Sequence, residues 1–488
     1  VINRHEALRS VISGDGEKLI IYNKMPFEIA VQNLSHLPQK GREFEFSTFL
    51  EAQMAIPFDL NEGPLFRAFV HRNEVKQHQI TLIFHHIICD GWSFGIILEE
   101  LSKLYSAYAS GSAHSLPEPF QISDFAVVKE TYRKSPDFRN TEEFWLNECA
   151  GDLPTVNLTT DFSRGTQRSY QSNRIDQHLS GSVIKDLRSQ GAKIGCSLVT
   201  TMLSLFEILI FKKTGQANLI IGLPSAEQAV GEFYDLVGHC VNILPVKSYV
   251  DAEMPLNDYL KGRREHLMNV YEHQQYSFGE LLEKLKTKRD HSRVPLVPIV
   301  FNIDMGMDSD VRFDGLEHQI NSNARCCETF ELFVNATDSP DGLILEWNYN
   351  AQLFSQARIE AMMQDYELLI NSMIKTPSIS IYDAIMDGKL KSVINGKALA
   401  NNQSFVELFS NSVSQFQNRR AVSFEQNTLT FLSLDKKSDA LASVLKSKGI
   451  RKGHIVAISI SRSIEMLTGI IAILKAGAAY LPIDPTLP

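Results

Sequence analysis

Apolar and polar residues alternate over 79–86, with Ile80, Leu82 and Phe84 on one face and Thr81 and Ile83 on the other, which predicts a strand. The period then changes. Phe94, Ile97, Leu98, Leu101, Leu104, Tyr105 and Tyr108 recur at helical spacing up to Gly111, and predict a helix with Ser93 as its N-cap. Between the two patterns stand His85, His86, Ile87, Ile88, Cys89, Asp90, Gly91 and Trp92. Side chains alternate along a strand, so His85 and His86 are expected on opposite faces, one toward a substrate and one toward the scaffold. Asp90 and Gly91 fall at the strand-to-helix turn, where backbone N–H groups at the helix start are free.

The same pattern, read along the chain, predicts a helix end over 1–9, a strand at 18–22, a helix over 46–54 and a strand at 65–70 paired with 78–86. A polar crossover at 151–171 separates this from a second α/β unit. There, helices are expected over 183–192, 198–213, 256–273, 276–285 and 356–374, and strands at 219–223, 237–246, 297–303, 328–335 and 343–349. After a linker the character changes: a helix over 404–416, a hairpin, then helix, strand and helix over 433–448, 455–460 and 464–476 mark the opening of a separate α/β domain.

Composition narrows the function classes. With 488 residues, 44% hydrophobic and 22% charged, the chain has ordinary globular composition and room for about two to four folding units. A net charge of -9 argues against nucleic acid as a partner. No apolar run reaches membrane-spanning length. The six cysteines lack CxxC spacing, and no signal-like segment opens the chain, so a reduced cytoplasmic protein is expected. Both ends look cut from something longer. A metal site is not expected, because adjacent strand histidines cannot both ligate one ion and no Cys or His lies at a helical offset nearby.

Several separated segments, taken in order, resemble the condensation domain of nonribosomal peptide synthetases followed by the first part of an adenylation domain. Arg4-His5-Glu6-Ala7-Leu8-Arg9 is similar to an RHExLR element, and His85-His86-Ile87-Ile88-Cys89-Asp90-Gly91 to HHxxxDG. Asp124-Phe125-Ala126-Val127 is similar to DFAVW, and Gly238-His239-Cys240-Val241-Asn242 to GxxVN. His273-Gln274 with Phe278, and the run from Arg289 to Leu296, resemble the HQ and RDxSRxPL elements. Leu474 to Pro485 resembles the adenylation family's LKAGxAYxPID segment. Two departures stand out: Val128 replaces the usual Trp, and Cys89 stands where Ser is common. The family's first element is absent, and the adenylation part stops before its phosphate loop, so neither ATP binding nor amino-acid activation is expected of the chain. The segments 238–245 and 330–335 resemble the subgroup that follows polyketide modules more than plain L-to-L domains.

The resemblance implies a mixed α/β (α+β) fold: two chloramphenicol-acetyltransferase-like lobes forming a V-shaped pseudo-dimer around a tunnel, over 1–165 and 166–385. A linker at 386–403 and a truncated adenylation start at 404–488 follow. It implies amide-bond formation between an upstream carrier-bound acyl or peptidyl thioester and the amine of a downstream carrier-bound aminoacyl group. His86 is then the general base or positioning group, with Asp90 and Gly91 completing the catalytic set. Asp90 is expected to pair with Arg4 through a charge-assisted bond and to fix the turn; the Gly91 N–H is expected at the oxyanion. Arg4, Arg9 and His85 are expected to be structural, and Trp92, Ser93 and Asn242 to line the tunnel, although a strand-end Asn242 that satisfies backbone groups is an equal alternative. No cofactor is expected to bind the fragment itself. The phosphopantetheine belongs to partner carrier domains, and the rest of the adenylation domain is a further partner. A coenzyme A-dependent acyltransferase and an inactive recruitment module are the alternatives.

Overall fold

The computed structural model describes residues 1–113, 115–151, 153–286, 290–304, 311–339, 341–386 and 404–486, without the Asp338 side chain. Arg289 and nearly all of the expected linker at 386–403 lie outside the described residues. The chain divides into two compact units, Val1–Lys389 and Leu390–Pro488.

The first unit begins differently from the expected helix end. Residues 1–6 form turns, Ala7–Arg9 a single 3₁₀ turn, and Ser10–Ile12 a strand antiparallel to Leu19–Ile21. The short apolar run Ala7, Leu8 and Val11 is buried but has no second helical turn to stand on. A three-stranded sheet follows. Phe66–Arg72 and His78–Phe84 form the expected hairpin, and Ala30–Asn33, not foreseen from its pattern, lies parallel beside Phe66–Arg72. The helix Gln39–Ala55 is longer at both ends than 46–54. In His78–Phe84 it is Thr81 and Ile83 that are buried, while Ile80 faces outward.

The larger sheet has six strands in the order Ser172–Ser180, Gly342–Asn350, Leu332–Ser339, Ile299–Asp304, Asn218–Ala226 and Val241–Tyr249. Ile299–Asp304 is parallel to both of its neighbours, and the other pairs are antiparallel. Ser172–Ser180 fell in a stretch with no expected element, because an edge strand with only Ile175 and Leu179 apolar carries little alternation. Helix Leu198–Thr214 is buried on nearly every side, as an all-round apolar helix must be. Leu205, Phe206 and Ile208 are fully buried there, each contributing about 1.5–3 kcal/mol of burial. The same helix buries Glu207 completely, and Arg263 and Tyr259 satisfy it with hydrogen bonds of 2.8–2.9 Å.

The second unit holds the expected succession: helix Phe405–Phe416, hairpin Arg420–Phe424 with Asn427–Thr430, helix Phe431–Ser447, then strand Ile455–Ile458, helix Ile464–Lys475 and strand Ala479–Pro482. The last two strands pair in parallel, which completes a βαβ unit. Ser404 caps the first helix reciprocally with Glu407. Among the described residues no single helix is long and apolar enough to cross a membrane.

Candidate active site

The hairpin strand ends at Phe84, one pairing beyond which His85 N–H still donates to Leu65 O at 2.8 Å. The chain then turns: Ile88 N–H donates to His85 O, and Ile87 N–H donates to His85 Nδ1 at 3.1 Å. His85 is thus folded against its own backbone and lies edge-on to Phe58. His86 comes next and keeps an exposed surface. The strand alternation expected to divide the two rings does not extend to them, because the strand ends at Phe84 and both histidines lie in the turn that follows.

Asp90, not Ser93, is the N-cap of helix Gly91–Ser110, which Gly111 closes in a left-handed conformation (φ 66°). Its Oδ1 accepts from Ser93 N–H at 2.8 Å and Ser93 Oγ–H at 2.6 Å; its Oδ2 accepts from Gln228 Nε2 at 2.9 Å and Cys240 N–H at 3.0 Å. The carboxylate is 3% exposed. The expected Asp90–Arg4 pair does not form. Neutral donors fill Asp90's acceptor sites, and Arg4 reaches Glu100, three turns along the helix, through Nε and Nη2 at 3.0–3.2 Å, with Pro117 O at 2.7 Å. His5 Nε2 shares the same carboxylate at 2.9 Å. Arg9 binds Tyr22 O and braces the N-terminal hairpin.

Ser93 and Asn242 do not line an accessible surface. Ser93 is fully buried, and its Oγ meets both Gly238 O at 2.8 Å and Gly238 N–H at 2.9 Å. That grip leaves 237–240 outside the strand expected there, which begins at Val241. A Cβ at 238 would come within 2.6 Å of Ile122 Cδ1, so a larger residue there would require that side chain to move. Asn242 satisfies backbone groups: Nδ2 donates to Gln274 O and Tyr276 O, and Oδ1 accepts from Phe278 N–H. Trp92 is half-buried, its Nε1–H donating to Tyr234 O at 3.1 Å. Gly91 opens the helix, where its N–H has no intrahelical partner.

His239 lies within a motif whose pattern gives it no role, yet it faces His86 with 3.1 Å between their Nδ1 atoms. Gln228, fully buried, was missed altogether. No local pattern joins residues this far apart. Burial, then His239 and Arg325, push the His86 pKa down from 6.5 to about 4, against an opposing pull from Asp90. Although its edge is exposed, protein crowds the ring on its other sides, which makes desolvation the largest cause. His239 is also lowered by burial, with Asp90 opposing. The thiols of Cys89 and Cys240 are pushed far up by burial and by Asp90, so neither supplies a thiolate nucleophile. No cluster of metal-ligating side chains occurs among the described residues. The arrangement therefore offers a neutral imidazole whose Nε2 has no protein partner among the described residues, a helix-start N–H five residues on, and a buried carboxylate that anchors the turn.

The condensation domain model matches residues 1–387, and an AMP-binding enzyme model matches residues 409–488. Bacitracin synthase 1 of Bacillus licheniformis is 29% identical over 500 residues, covering 100% of this chain and 9% of that protein. Tyrocidine synthase 3 of Brevibacillus parabrevis is 29% identical over 499 residues, covering 100% of this chain and 8% of that one. The chain thus spans about a tenth of the curated relatives it matches. Among solved structures, a four-domain nonribosomal peptide synthetase bound to AMP and glycine matches with a TM-score of 0.71 at 21% identity, covering 100% of this chain and 38% of that one. The condensation domain from a monacolin K polyketide synthase matches with a TM-score of 0.67 at 17% identity, covering 78% of this chain and 88% of that one. Fold and family model agree: the chain belongs to the condensation domain family of nonribosomal peptide synthetases, acyltransferase-type enzymes that form amide bonds, and runs on into the start of an AMP-binding domain.

Proposed function

We propose that this chain joins the acyl or peptidyl group of an upstream carrier-bound thioester to the amine of a downstream carrier-bound aminoacyl group. The observation that carries the reading is the turn clamped by Asp90, which presents His86 with an Nε2 that has no protein partner among the described residues, its pKa lowered by burial to about 4. The amine nitrogen attacks the thioester carbon, an N–C bond forms, and the amine proton passes to His86 Nε2. The C–S bond then breaks with its electron pair on sulfur, and the thiolate takes the proton. The Gly91 N–H stabilises the oxyanion between these steps. Holding two tethered reactants together supplies roughly 7–11 kcal/mol, and the base adds about 10²–10⁴-fold. Positioning is the larger share.

The two phosphopantetheine arms enter between lobes at 1–165 and 166–385, with the linker at 386–403 leading to the AMP-binding part. Carrier domains and the remainder of the AMP-binding domain are the partners. A polyketide-derived donor suits the segments 238–245 and 330–335.

The test loads an upstream carrier with acyl donor and a downstream carrier with aminoacyl acceptor, and reads the condensed product by mass spectrometry. His86→Ala is expected to lower product formation by about 10²–10⁴-fold. No product from wild type with competent carriers would overturn the reading in favour of a recruitment module. Product formed equally well from a coenzyme A thioester would favour the stand-alone acyltransferase.

A further inference from the structure

His86 meets its partner across 153 positions of sequence. His239 stands in the turn before Val241–Tyr249, and the two rings are edge-to-face, with centroids 5.0 Å apart and planes at 81°. Two imidazoles that meet through Nδ1 share a single proton there: one ring donates and the other presents a lone pair. The tautomers are therefore set as a pair. With His86 donating, its Nε2 holds a lone pair and is a base; with His239 donating, His86 carries an Nε2–H and is none. Neither Nε2 has a protein hydrogen-bond partner among the described residues.

The surrounding charges bear on where an added proton rests. Arg325 faces His86 and opposes positive charge on that ring. Asp90 attracts charge on both rings, and its Oδ2 is bonded to the N–H of Cys240, the residue next to His239. His85 feels His239 as well, while the neighbouring thiols Cys89 and Cys240 stay protonated and neutral. A proton taken up by the pair is better held on His239 than on His86, which feels Arg325 as well. For Nε2 of His86 to be the atom that takes the amine proton, its Nδ1 must carry the hydrogen in the resting state and point at His239.

We propose that His239 is a positioning residue for His86: across the 3.1 Å contact it accepts the Nδ1 proton of His86 and so holds the tautomer whose Nε2 lone pair takes the amine proton. The inference rests on the amide-forming reading above. As the N–C bond forms, Nε2 of His86 gains the amine proton while its Nδ1 proton moves to His239 Nδ1. As the C–S bond breaks, sulfur takes the Nε2 proton and His239 returns its own, leaving both rings as they began. Like a triad carboxylate, His239 fixes the tautomer of its histidine partner; unlike one, it takes up the proton itself.

Two measurements on the full chain test it. In the carrier assay, His239→Leu is expected to slow condensation about 10- to 100-fold, part of what a general base supplies, and to move the acid limb of kcat/KM downward because the ring that shares the added proton is lost. His239→Asn places an oxygen near the former Nδ1 and is expected to restore most of the rate. Independently of activity, ¹⁵N-histidine NMR of wild type is expected to show His86 protonated at Nδ1, and His239→Leu to lose that signature. An Nε2–H tautomer of His86 in wild type, or a His239→Leu variant with wild-type rate and acid limb, would overturn the proposal. If wild type makes no product, the condensation reading fails while the NMR result still decides the role of His239.

Discussion

Asp90 holds four hydrogen-bond donors and no salt bridge among the described residues, an arrangement that suits a joint better than a proton-transfer group. Both of its oxygens are full. Replacing either by an amide NH₂ sets donors against donors in a buried site, where each unmet group costs about 1–3 kcal/mol. Asp90→Asn is therefore expected to lower the urea midpoint of the first unit, and to lose activity only as far as the turn loosens. If Asp90→Asn kept wild-type stability but matched His86→Ala in lost rate, Asp90 would belong to the chemistry. His86 carries its own pH prediction. Its folded pKa lies below the ordinary 6.5, so the unfolded chain binds that proton more readily; the stability it contributes is complete above pH 6.5 and is lost as pH falls toward about 4. In activity, the limb due to His86 should fall well below pH 6.5, once protonation of the acceptor amine has been titrated separately. A limb at 6.5 would mean a ring in contact with bulk water. That His86 was the residue to watch was legible from its motif. Its shifted pKa was not, because burial and His239 both come from distant chain.

Helix Gly91–Ser110 works as a two-point brace. Its first turn is latched to 228–240 through Asp90, Ser93 and Trp92, and its third turn holds Arg4 and His5 through Glu100. Apolar periodicity made the helix and its Gly111 stop readable, but its start was misplaced by three residues. The Ser93 hydroxyl has the chemistry of a cap and is drawn instead to Asp90 and Gly238. Glu100 gives this brace a pH dependence. Burial alone would raise its pKa, yet the hydrogen bonds from His5 and Arg4, with their charges, hold it below the ordinary 4.5. A depressed carboxylate contributes stability above its unfolded pKa that is lost as pH falls through the folded one. Thermal midpoints of wild type and Glu100→Gln should accordingly differ at neutral pH and converge as pH falls below about 4.5. Curves that stay parallel through that window would mean the Arg4–His5–Glu100 cluster adds nothing.

At the scale of the whole molecule, the two units have very different cores. The first is built around helix Leu198–Thr214 and the six-stranded sheet, with dozens of buried apolar side chains, while the fully packed core of the second centres on Phe409, Val413, Leu434 and Ile471. Two transitions are expected by calorimetry, the second unit melting first, since small cores leave a domain marginal. One coincident transition would show that the units stabilise each other. What the sequence by itself determined was whatever is encoded within a few neighbouring residues: the helices, the hairpin that ends at the histidines, the βαβ close, and the family through its ordered motifs. Tertiary structure decided the partners. Arg4 turned to Glu100 instead of Asp90, Asn242 and Ser93 went to backbone instead of a tunnel, and His239 came to His86. Periodicity reports which face of an element is apolar, but a hydrogen bond needs two groups within about 3 Å, and only the packing of whole elements brings residues so distant in sequence that close.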